Sequence, residues 1–457
     1  MAISGSERRT SLHGQWSSRF AFILAVSGSA IGLGNIWKFP YIAGVNGGGA
    51  FVLVYLLCVF IIGLPIMMAE ILIGRRGRRN PIATMGLLGE EEGGSRRWAL
   101  IGVVGVISGF LILSYYSVIG GWAIAYIFES ASGTFTDLDA AGVDEVYSRL
   151  SGSWIATGFW HTLFMVMTTV VVSKGVERGL ERAVRLLMPA LVVLLLVLLV
   201  YSMIAGDFAQ GVRFMFEPKF SELTQAGALV ALGHAFFTLS VGMGAVMAYG
   251  AYLPADASIA RTAFAVICAD TAIAILAGLV IFPIVFANGL DPAAGPGLIF
   301  QSLPLAFGNL PGGVIVAVLF FLLLTFAAWT SAISLMEPAV AWLIEARQLS
   351  RTGAASLVGV TIWLLGWLSV GSFSVLADFR LFGRTFFDNI DFLTSNIMLP
   401  LGGLAIIIFA GWVMSRNSSA DELDAAAGAG YRAWHFAARF IAPVAVVLIF
   451  LNAVGLF

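Results

Sequence analysis

Charged residues are scarce in this sequence. Lysine, arginine, aspartate and glutamate make up only 11% of its 457 residues, whereas roughly a quarter is usual in soluble proteins. Cysteine occurs only twice, as Cys58 and Cys268, and both residues lie within apolar runs. We therefore expect packed free thiols, and we exclude a disulfide framework and a cysteine-based metal site. The low charge excludes an ordinary soluble domain.

Histidine is also rare. The four histidines are scattered along the chain at His13, His161, His234 and His435. No nucleophile–base pair or metal-ligating constellation accompanies them, so we expect a protein that is not an enzyme. We also expect no organic cofactor and no nucleic-acid partner.

Long apolar runs are abundant instead. Hydrophobic residues make up 59% of the chain and the mean hydropathy is +0.94. Runs of roughly 20 apolar residues are long enough to cross a lipid bilayer as helices. The sequence therefore predicts an all-α integral membrane protein with about eleven transmembrane helices in a single domain, 1–457. The predicted spans, numbered one to eleven below, are 17–42, 48–74, 98–129, 153–173, 180–203, 226–252, 257–288, 311–346, 354–376, 382–415 and 431–456.

The loop charges predict an orientation. Every second loop is basic: the loops after spans two, four, eight and ten contain clustered or isolated lysine and arginine residues. The loop between spans three and four is acidic instead. Because basic loops stay in the cytoplasm, we expect a cytoplasmic N-terminus and an external acidic loop.

Glycines interrupt two of the predicted spans near their middle. Span one contains Gly28-Ser29-Ala30-Ile31-Gly32-Leu33-Gly34-Asn35, and span six contains Phe237-Thr238-Leu239-Ser240-Val241-Gly242-Met243-Gly244. The two breaks are five spans apart, and an odd number of spans inverts a second repeat in the membrane. We therefore predict a first repeat at 17–203, an inverted second repeat at 226–415, and an eleventh helix at 431–456. Broken helices at matching places indicate a substrate site at the membrane midplane.

These motifs resemble the neurotransmitter:sodium symporter family, and the resemblance covers essentially the whole chain. The first helix carries it most strongly, in Gly-Ser-Ala-Ile-Gly-Leu-Gly-Asn-Ile-Trp-Lys-Phe-Pro at 28–40. Within the family, the chain looks most like the bacterial transporters for leucine and for multiple hydrophobic amino acids. Some of these lack a twelfth helix. The resemblance implies the inverted five-helix repeat known as the LeuT-type fold, and the inner (cytoplasmic) membrane of a bacterium.

The resemblance also implies two sodium ions. The first ion would bind Ala30, Asn35, Thr238 and a polar residue of span seven, together with the substrate carboxylate. The second ion would bind Gly28, Ile31, Ala327, Thr330 and Ser331. Three of these ligands, at 327, 330 and 331, share one helix face. Alternatively, the hydroxyls of Thr330 and Ser331 could bond only to their own helix.

The span-seven ligand is where the sequence departs from the family, which often has asparagine there. One alignment places Asp270 at this position and another places Ala269. We favour Asp270, because an isolated carboxylate in an apolar span is expensive and usually functional. A fixed carboxylate could replace the chloride ion that some members bind, so we predict chloride independence. The alternative is that Asp270 marks the end of a loop.

The resemblance places the substrate between the broken helices. Gly32 stands where monoamine transporters have aspartate, so the ligand must bring its own carboxylate, and an amino acid is favoured over an amine. Met243 replaces a residue that is commonly aromatic and suggests a broad pocket. We therefore expect a sodium-coupled symporter that imports hydrophobic or aromatic L-amino acids by alternating access. The expected substrate-binding residues are Ala30, Gly32, Gly34, Ile112, Tyr116, Phe237, Thr238, Ser240, Met243, Ser334 and Leu335.

Two gates are expected from the same resemblance. On the outside, Lys38 and Asp391 correspond to the family's arginine–aspartate pair, and Phe237 and Tyr116 would form a thin lid. Lysine lacks the bidentate geometry of arginine, so this gate would be looser. On the inside, Glu345 matches the acidic partner. Its expected arginine is replaced by His13, and the alternative partners are Arg8, Arg9 and Arg19.

Two further carboxylates lie in apolar helices. We expect Glu70 and Glu337 to bind backbone groups freed by the broken helices, although a plain structural hydrogen bond is an equal alternative. Two other functions remain open on the same fold. One is a substrate-binding sensor that does not transport. The other is a proton-coupled carrier that uses Asp270, Glu70 or Glu337.

Overall fold

The chain is helical throughout the part that the structure describes. The structure is a computed structural model, and it describes residues 9–12, 14–295, 297–423, 428–453 and 456. Within these residues, eight helices are long and apolar enough to cross a membrane, and a bent pair makes a ninth span. The eight are Gly49–Gly77, Arg96–Ala131, Trp154–Ser173, Val176–Ala205, Ile259–Ala287, Gly313–Arg347, Arg351–Ser372 and Phe386–Val413. They correspond to predicted spans two to five and seven to ten.

The bent pair is span one. Its first half, Arg19–Ala30, and its second half, Gly34–Val45, meet at an angle of 50°. Ile31 has extended backbone dihedrals, which end the first half. The predicted break therefore lies within the glycine-rich motif, where the sequence placed it.

Span six is broken more widely. Its first half, Gln225–Thr238, and its second half, Ala245–Gly250, are separated by six residues. Within this segment Ser240, Gly242 and Gly244 have φ values of +52°, +88° and +76°. Left-handed residues cannot continue a right-handed helix, so the backbone groups here are freed from helical hydrogen bonding.

The last predicted span is also built of short pieces. Helical segments at Ala429–Phe436, Ala437–Ile441 and Ala442–Ala453 follow one another directly. The nine spans above, span six and this segment account for the eleven predicted spans. Shorter helices occupy several predicted loops: Pro81–Gly93, Ala140–Ser151, Phe208–Phe216, Leu298–Gly308 and Arg416–Glu422.

The broken spans lie inside the bundle. Span eight packs along span three and against both broken spans. Span five lies further out, and its Leu186 and Ile204 side chains are 71% and 80% exposed. Large apolar side chains exposed on an outer helix are expected where lipid is the solvent. The two breaks are thus enclosed by other helices, where freed backbone groups can be used to bind a ligand.

Candidate functional site

Asn35 connects the break of span one to span seven. It is completely buried, and its Oδ1 accepts a hydrogen bond from the Gly32 N–H at 3.0 Å. Its Nδ2 donates to Asp270 Oδ1 at 2.7 Å and to the Asp270 carbonyl at 3.1 Å. The Thr238 hydroxyl lies 3.2 Å from both carboxylate oxygens. Asn35, Thr238 and Asp270, three of the residues expected at the first ion, therefore form one buried cluster beside the break that contains Ala30.

The position of Asp270 excludes one of the alternatives left open by the sequence and bears on the other. Asp270 lies in the middle of the helix Ile259–Ala287, so it does not mark the end of a loop. Its side chain is fully buried and faces Asn35 and Thr238, whereas Ala269 is only half-buried. The contacts thus favour the alignment that uses Asp270.

A second cluster joins span one to span eight. The Ser331 hydroxyl lies within hydrogen-bond distance of three span-one carbonyls: Gly28 at 3.3 Å, Ser29 at 3.0 Å and Ile31 at 3.4 Å. The Thr330 hydroxyl lies 3.1 Å from the Ala327 carbonyl on its own helix. A Cβ added to Gly28 would be 3.3 Å from the Thr330 Cβ, so Thr330 also faces span one. All five residues expected at the second ion are close together.

This second cluster is rich in neutral oxygens. Thr330 bonds to its own helix, as one alternative proposed, but Ser331 bonds across to span one. Carbonyl and hydroxyl oxygens are the ligands that hard cations prefer. Within the described residues, no group of three or more histidine, cysteine, aspartate or glutamate side chains could hold a metal ion. The chemistry therefore fits a monovalent hard cation better than a transition metal.

A small cavity lies between the two breaks. Its volume is about 20 Å³, which is room for about one water molecule. A larger ligand could enter only if side chains such as Phe237, Met243 and Leu335 moved. The lining residues are Ser29, Ala30, Gly32, Gly34, Ile112, Tyr116, Phe237, Ser240, Met243, Ser331 and Leu335. All expected substrate residues except Thr238 and Ser334 are among them.

Gly32 marks the tightest approach in this cavity. A Cβ added to Gly32 would lie 2.5 Å from the Ser331 hydroxyl and 2.7 Å from the Tyr116 hydroxyl. Tyr116 accepts a hydrogen bond from the Leu33 N–H at 3.1 Å. The second half of span one starts here, and a helix N-terminus attracts anions. The Tyr116 side of the cavity is therefore suited to a carboxylate.

A larger cavity of about 370 Å³ lies on the other side of Phe237 and Tyr116. Both side chains line both cavities, so they separate the two spaces. The Lys38 ammonium lies 4.2 Å from the centre of the Phe237 ring. Asp391 accepts hydrogen bonds from Tyr115 at 3.0 Å and from Ser395 at 2.9 Å.

The two expected gate charges thus face the same cavity but have different neighbours. Lys38 and Asp391 both line the larger cavity. Among the ion pairs of the described residues, none joins Lys38 to Asp391. The Lys38 ammonium lies directly over the Phe237 ring, in the geometry of a cation–π contact.

Trp16, at the start of span one, is buried against the end of span six. Its indole is almost fully buried and packs against Tyr249 and Tyr252, with ring centroids 5.2 and 6.3 Å away. The Trp16 N–H donates to the Tyr252 carbonyl at 3.0 Å, and the indole Nε1 donates to the Tyr249 carbonyl at 3.2 Å. Span six and the start of span one are therefore joined here.

Glu345 has a neighbour that the sequence did not suggest. It accepts hydrogen bonds from the Asn80 backbone N–H at 2.7 Å and from Asn80 Nδ2 at 2.8 Å. Of the alternative partners, Arg9 pairs with Glu91 and Arg19 donates to Thr262 at 3.2 Å. The other two alternatives, Arg8 and His13, lie outside the described residues.

The two further carboxylates in apolar helices, Glu70 and Glu337, have different partners. Glu70 accepts a hydrogen bond from the Gly242 N–H in the break of span six, as predicted. For Glu337 the prediction is wrong. Its carboxylate instead pairs with both terminal nitrogens of Arg351 and accepts a hydrogen bond from the Tyr252 hydroxyl at 3.0 Å. A buried carboxylate is held most strongly by a bidentate guanidinium, and such a partner from another helix is invisible in sequence.

Sequence reasoning also missed that Ser29 lines the small cavity and that Trp16 packs against span six. Ser29 lies between two predicted ligands in the first-helix motif, and its position inside the break was the available signal. Trp16 has no such signal, because its partners come from span six.

The comparisons with known proteins identify the family of this chain. The Sodium:neurotransmitter symporter family matches residues 13–139 and 155–457. The sodium-dependent transporter YhdH of Bacillus subtilis is 39% identical over 445 residues, which cover 97% of this chain and 98% of the relative. A sodium-dependent transporter of Haemophilus influenzae is 33% identical over 460 residues, which cover 99% of each chain.

A solved structure is similar over the same extent. The crystal structure of MhsT in complex with L-phenylalanine superimposes with a TM-score of 0.89 at 43% identity, covering 96% of this chain and 99% of that chain. The similarity extends over nearly the whole chain, and it confirms the LeuT-type fold. The chain therefore belongs to the sodium:neurotransmitter symporter family, and it is a multi-pass sodium-dependent symporter, not an enzyme.

Proposed function

We propose that this symporter imports hydrophobic or aromatic L-amino acids together with sodium, by alternating access around the small central cavity. The observation that carries the proposal is the lining of that cavity. Its Tyr116 side suits a carboxylate, and Ile112, Met243 and Leu335 supply an apolar wall. A relative, MhsT, was crystallised with L-phenylalanine.

We propose two sodium ions. The first would bind Ala30, Asn35, Thr238 and Asp270, and the substrate carboxylate would complete its shell. The second would bind Gly28, Ile31, Ala327, Thr330 and Ser331. The short distances within each cluster support these assignments, because few side chains would need to move when an ion binds.

Chloride independence follows from the same cluster. The Asp270 carboxylate is fully buried beside Asn35, Thr238 and the Tyr55 hydroxyl. A fixed negative charge at this place would balance the first ion without a bound anion. Two like charges in a low-dielectric site repel strongly, so the carboxylate would also exclude chloride.

Transport needs the cavity to open to each side in turn. Phe237, Tyr116, Lys38 and Asp391 would form the outer gate, and Glu345 with Trp16 would form the inner one. We propose that the protein lies in the inner membrane of a bacterium. Its N-terminus would be in the cytoplasm, because basic loops stay on the cytoplasmic side of a membrane. In this scheme the repeats 17–203 and 226–415 move relative to each other, and 431–456 is an added helix.

The test is uptake of radiolabelled L-phenylalanine by the purified protein in liposomes. We expect accumulation with an inward sodium gradient in chloride-free buffer, and none when potassium replaces sodium. Uptake that survives sodium replacement but stops when a pH gradient is collapsed would refute the proposal and support the proton-coupled alternative. Sodium-dependent binding without any uptake would support the sensor alternative instead.

A further inference from the structure

Basic and aromatic side chains meet where span ten ends and span eleven begins, far along the chain from both breaks. Trp412 lies in the last turn of span ten, and Arg416 begins the short helix that follows it. Tyr431 of span eleven donates a hydrogen bond to the Arg416 carbonyl at 3.2 Å. Trp412 Nε1 donates to the Arg439 carbonyl at 3.1 Å. Both arginines also interact electrostatically with the His435 ring. The two spans therefore bring Arg416 and Arg439 to one place.

This place lies at the level where a membrane meets water. The side chains of Trp412, Phe436 and Phe440 are about half exposed. They pack in a row, with the Phe440 ring centroid 5.8 Å from that of Trp412 and 5.4 Å from that of Phe436. Exposed aromatic side chains near the end of a membrane helix are typical of the interfacial region. We therefore expect lipid headgroups beside these rings.

The positive charges here have no acidic partner in the described part of the chain. None of the ion pairs found there involves Arg416, Arg432 or Arg439. The acids of the short helix that Arg416 begins, Asp421 and Glu422, pair instead with arginines of span two. The cluster is thus left with an excess of positive charge at the membrane surface.

Arg439 is the member of this cluster with the least access to water. Its guanidinium lies 4.2 Å from the centre of the Trp412 ring. A Cβ added to Gly411 would be 3.3 Å from the Arg439 Cγ, so the side chain lies against span ten. Its Nε is buried and has no hydrogen-bond partner among the described residues. A guanidinium has five N–H donors, and a buried donor without an acceptor is costly. An anion with several oxygens would remove this cost, and phosphate fits the planar fork of arginine.

We propose that Arg439 and Arg416 bind the phosphate of an anionic phospholipid, in the leaflet on the side of the basic loops. Arg439 would hold the phosphate oxygens, Arg416 and Arg432 would add positive potential, and the acyl chains would lie along Phe436 and Phe440. Basic pockets between membrane helices are known binding places for anionic headgroups. The site is separate from the two cavities described above, and the inference does not depend on the proposed function.

The surroundings favour an anionic lipid over two other ligands of similar chemistry. A zwitterionic headgroup carries an ammonium, which the excess positive charge would repel. A soluble phosphate would leave the exposed Phe436 and Phe440 rings uncovered, whereas the acyl chains of a lipid would cover them.

The experiment counts lipids bound to the purified full-length protein in detergent by native mass spectrometry. Dioleoylphosphatidylglycerol is titrated against dioleoylphosphatidylcholine, which has the same acyl chains, and glycerol phosphate is added in excess as a soluble competitor. The proteins are wild type, Arg439→Gln, Arg439→Lys, Arg416→Gln and the matched control Arg182→Gln. Arg182 is an exposed arginine of span five and has no ion pair within the described residues. Gel filtration and the melting temperature show whether each variant is folded.

We expect the first phosphatidylglycerol to bind about 10-fold more tightly than the first phosphatidylcholine in wild type and in Arg182→Gln, as for one hydrogen bond to a charged group. The preference should fall to about one in Arg439→Gln and decrease in Arg416→Gln. Arg439→Lys should keep part of it, because the charge remains but the planar fork is lost.

Three results would overturn the inference. Equal binding of the two lipids by wild type would show that the cluster does not select a charge. An equal loss of preference in Arg182→Gln would show that any surface arginine contributes as much. Displacement of phosphatidylglycerol by glycerol phosphate would identify a site for a soluble phosphate instead of a lipid. None of these measurements uses sodium or a substrate, so their outcome is independent of the proposed transport function.

Discussion

Replacing Asn35 with alanine removes the side chain that joins the break of span one to Asp270. The asparagine makes a 2.7 Å hydrogen bond to a carboxylate oxygen and a 3.0 Å bond from the Gly32 N–H, and all three groups are buried. In the proposed site, Asn35 Oδ1 also faces the first sodium ion. Alanine supplies no oxygen ligand and leaves the carboxylate with one donor fewer.

The size of the effect follows from these contacts. A hydrogen bond to a charged group contributes about 1.5–3 kcal/mol, and we take the lost ion–oxygen contact to be of the same order. Asn35→Ala should therefore weaken sodium binding about 10- to 150-fold. In the proposed site the substrate carboxylate shares this ion and coupling is reciprocal, so substrate affinity should fall at low sodium and recover as sodium is raised.

The assay is equilibrium binding of radiolabelled L-phenylalanine across a sodium series. Asn46→Ala is the matched control. Asn46 lies at the end of the same span, and its Nδ2 donates to the Ile42 carbonyl of its own helix at 2.8 Å. An unchanged sodium requirement in Asn35→Ala would mean that the first ion does not use this residue, and the proposed site would be wrong.

Three other substitutions give separate tests. Asp270→Asn should make uptake respond to chloride, because a bound anion could then supply the missing charge; uptake is measured with chloride or gluconate. Gly32→Ala should weaken phenylalanine binding at least about 10-fold, since the added methyl group would be 2.5 Å from a serine hydroxyl, whereas Gly430→Ala meets nothing within 4 Å and should bind normally. Lys38→Ala should speed phenylalanine dissociation about 2- to 30-fold, because a cation–π contact with Phe237 is worth about 0.5–2 kcal/mol.

Each of these has an outcome that contradicts it. Arg384→Ala is the control for Lys38→Ala, because it removes a different cation–π pair. Arg384 lies 3.9 Å from the centre of the Phe392 ring. Equal dissociation rates in Lys38→Ala and Arg384→Ala would show that Phe237 is not held by the ammonium. Chloride-insensitive uptake by Asp270→Asn would refute the charge-replacement argument, and normal binding by Gly32→Ala would show that the cavity opens at this point in the bound state.

Individual residues show which features of the site could be predicted from the sequence. The positions of both breaks were predictable, because glycine clusters in membrane helices carry a local signal. Asp270 could be singled out from the sequence, because burying a carboxylate in an apolar run is expensive. The choice between Asp270 and Ala269 was not, since a one-residue difference in alignment can be resolved only by contacts with other helices.

The partners of buried charges were the least predictable. Glu337 was expected at freed backbone, but it pairs with Arg351, 14 positions later along the chain and on the following helix. Glu345 accepts from Asn80, which is 265 positions away. Neither pairing can be detected in the periodicity or composition of the sequence. A long side chain can reach several neighbours, and the packing of the helices determines which neighbour it contacts.

The sequence by itself determined the membrane class, the eleven spans, the two breaks and the family resemblance. These properties depend on the local solvent preference of each segment and on the backbone freedom of glycine. Only the tertiary structure decided which oxygens meet at Asn35 and Ser331, and how Phe237 and Tyr116 divide the two cavities. Those properties depend on distances between helices that are far apart in the chain, and hydrogen bonds form only when such distances are met within a few tenths of an ångström.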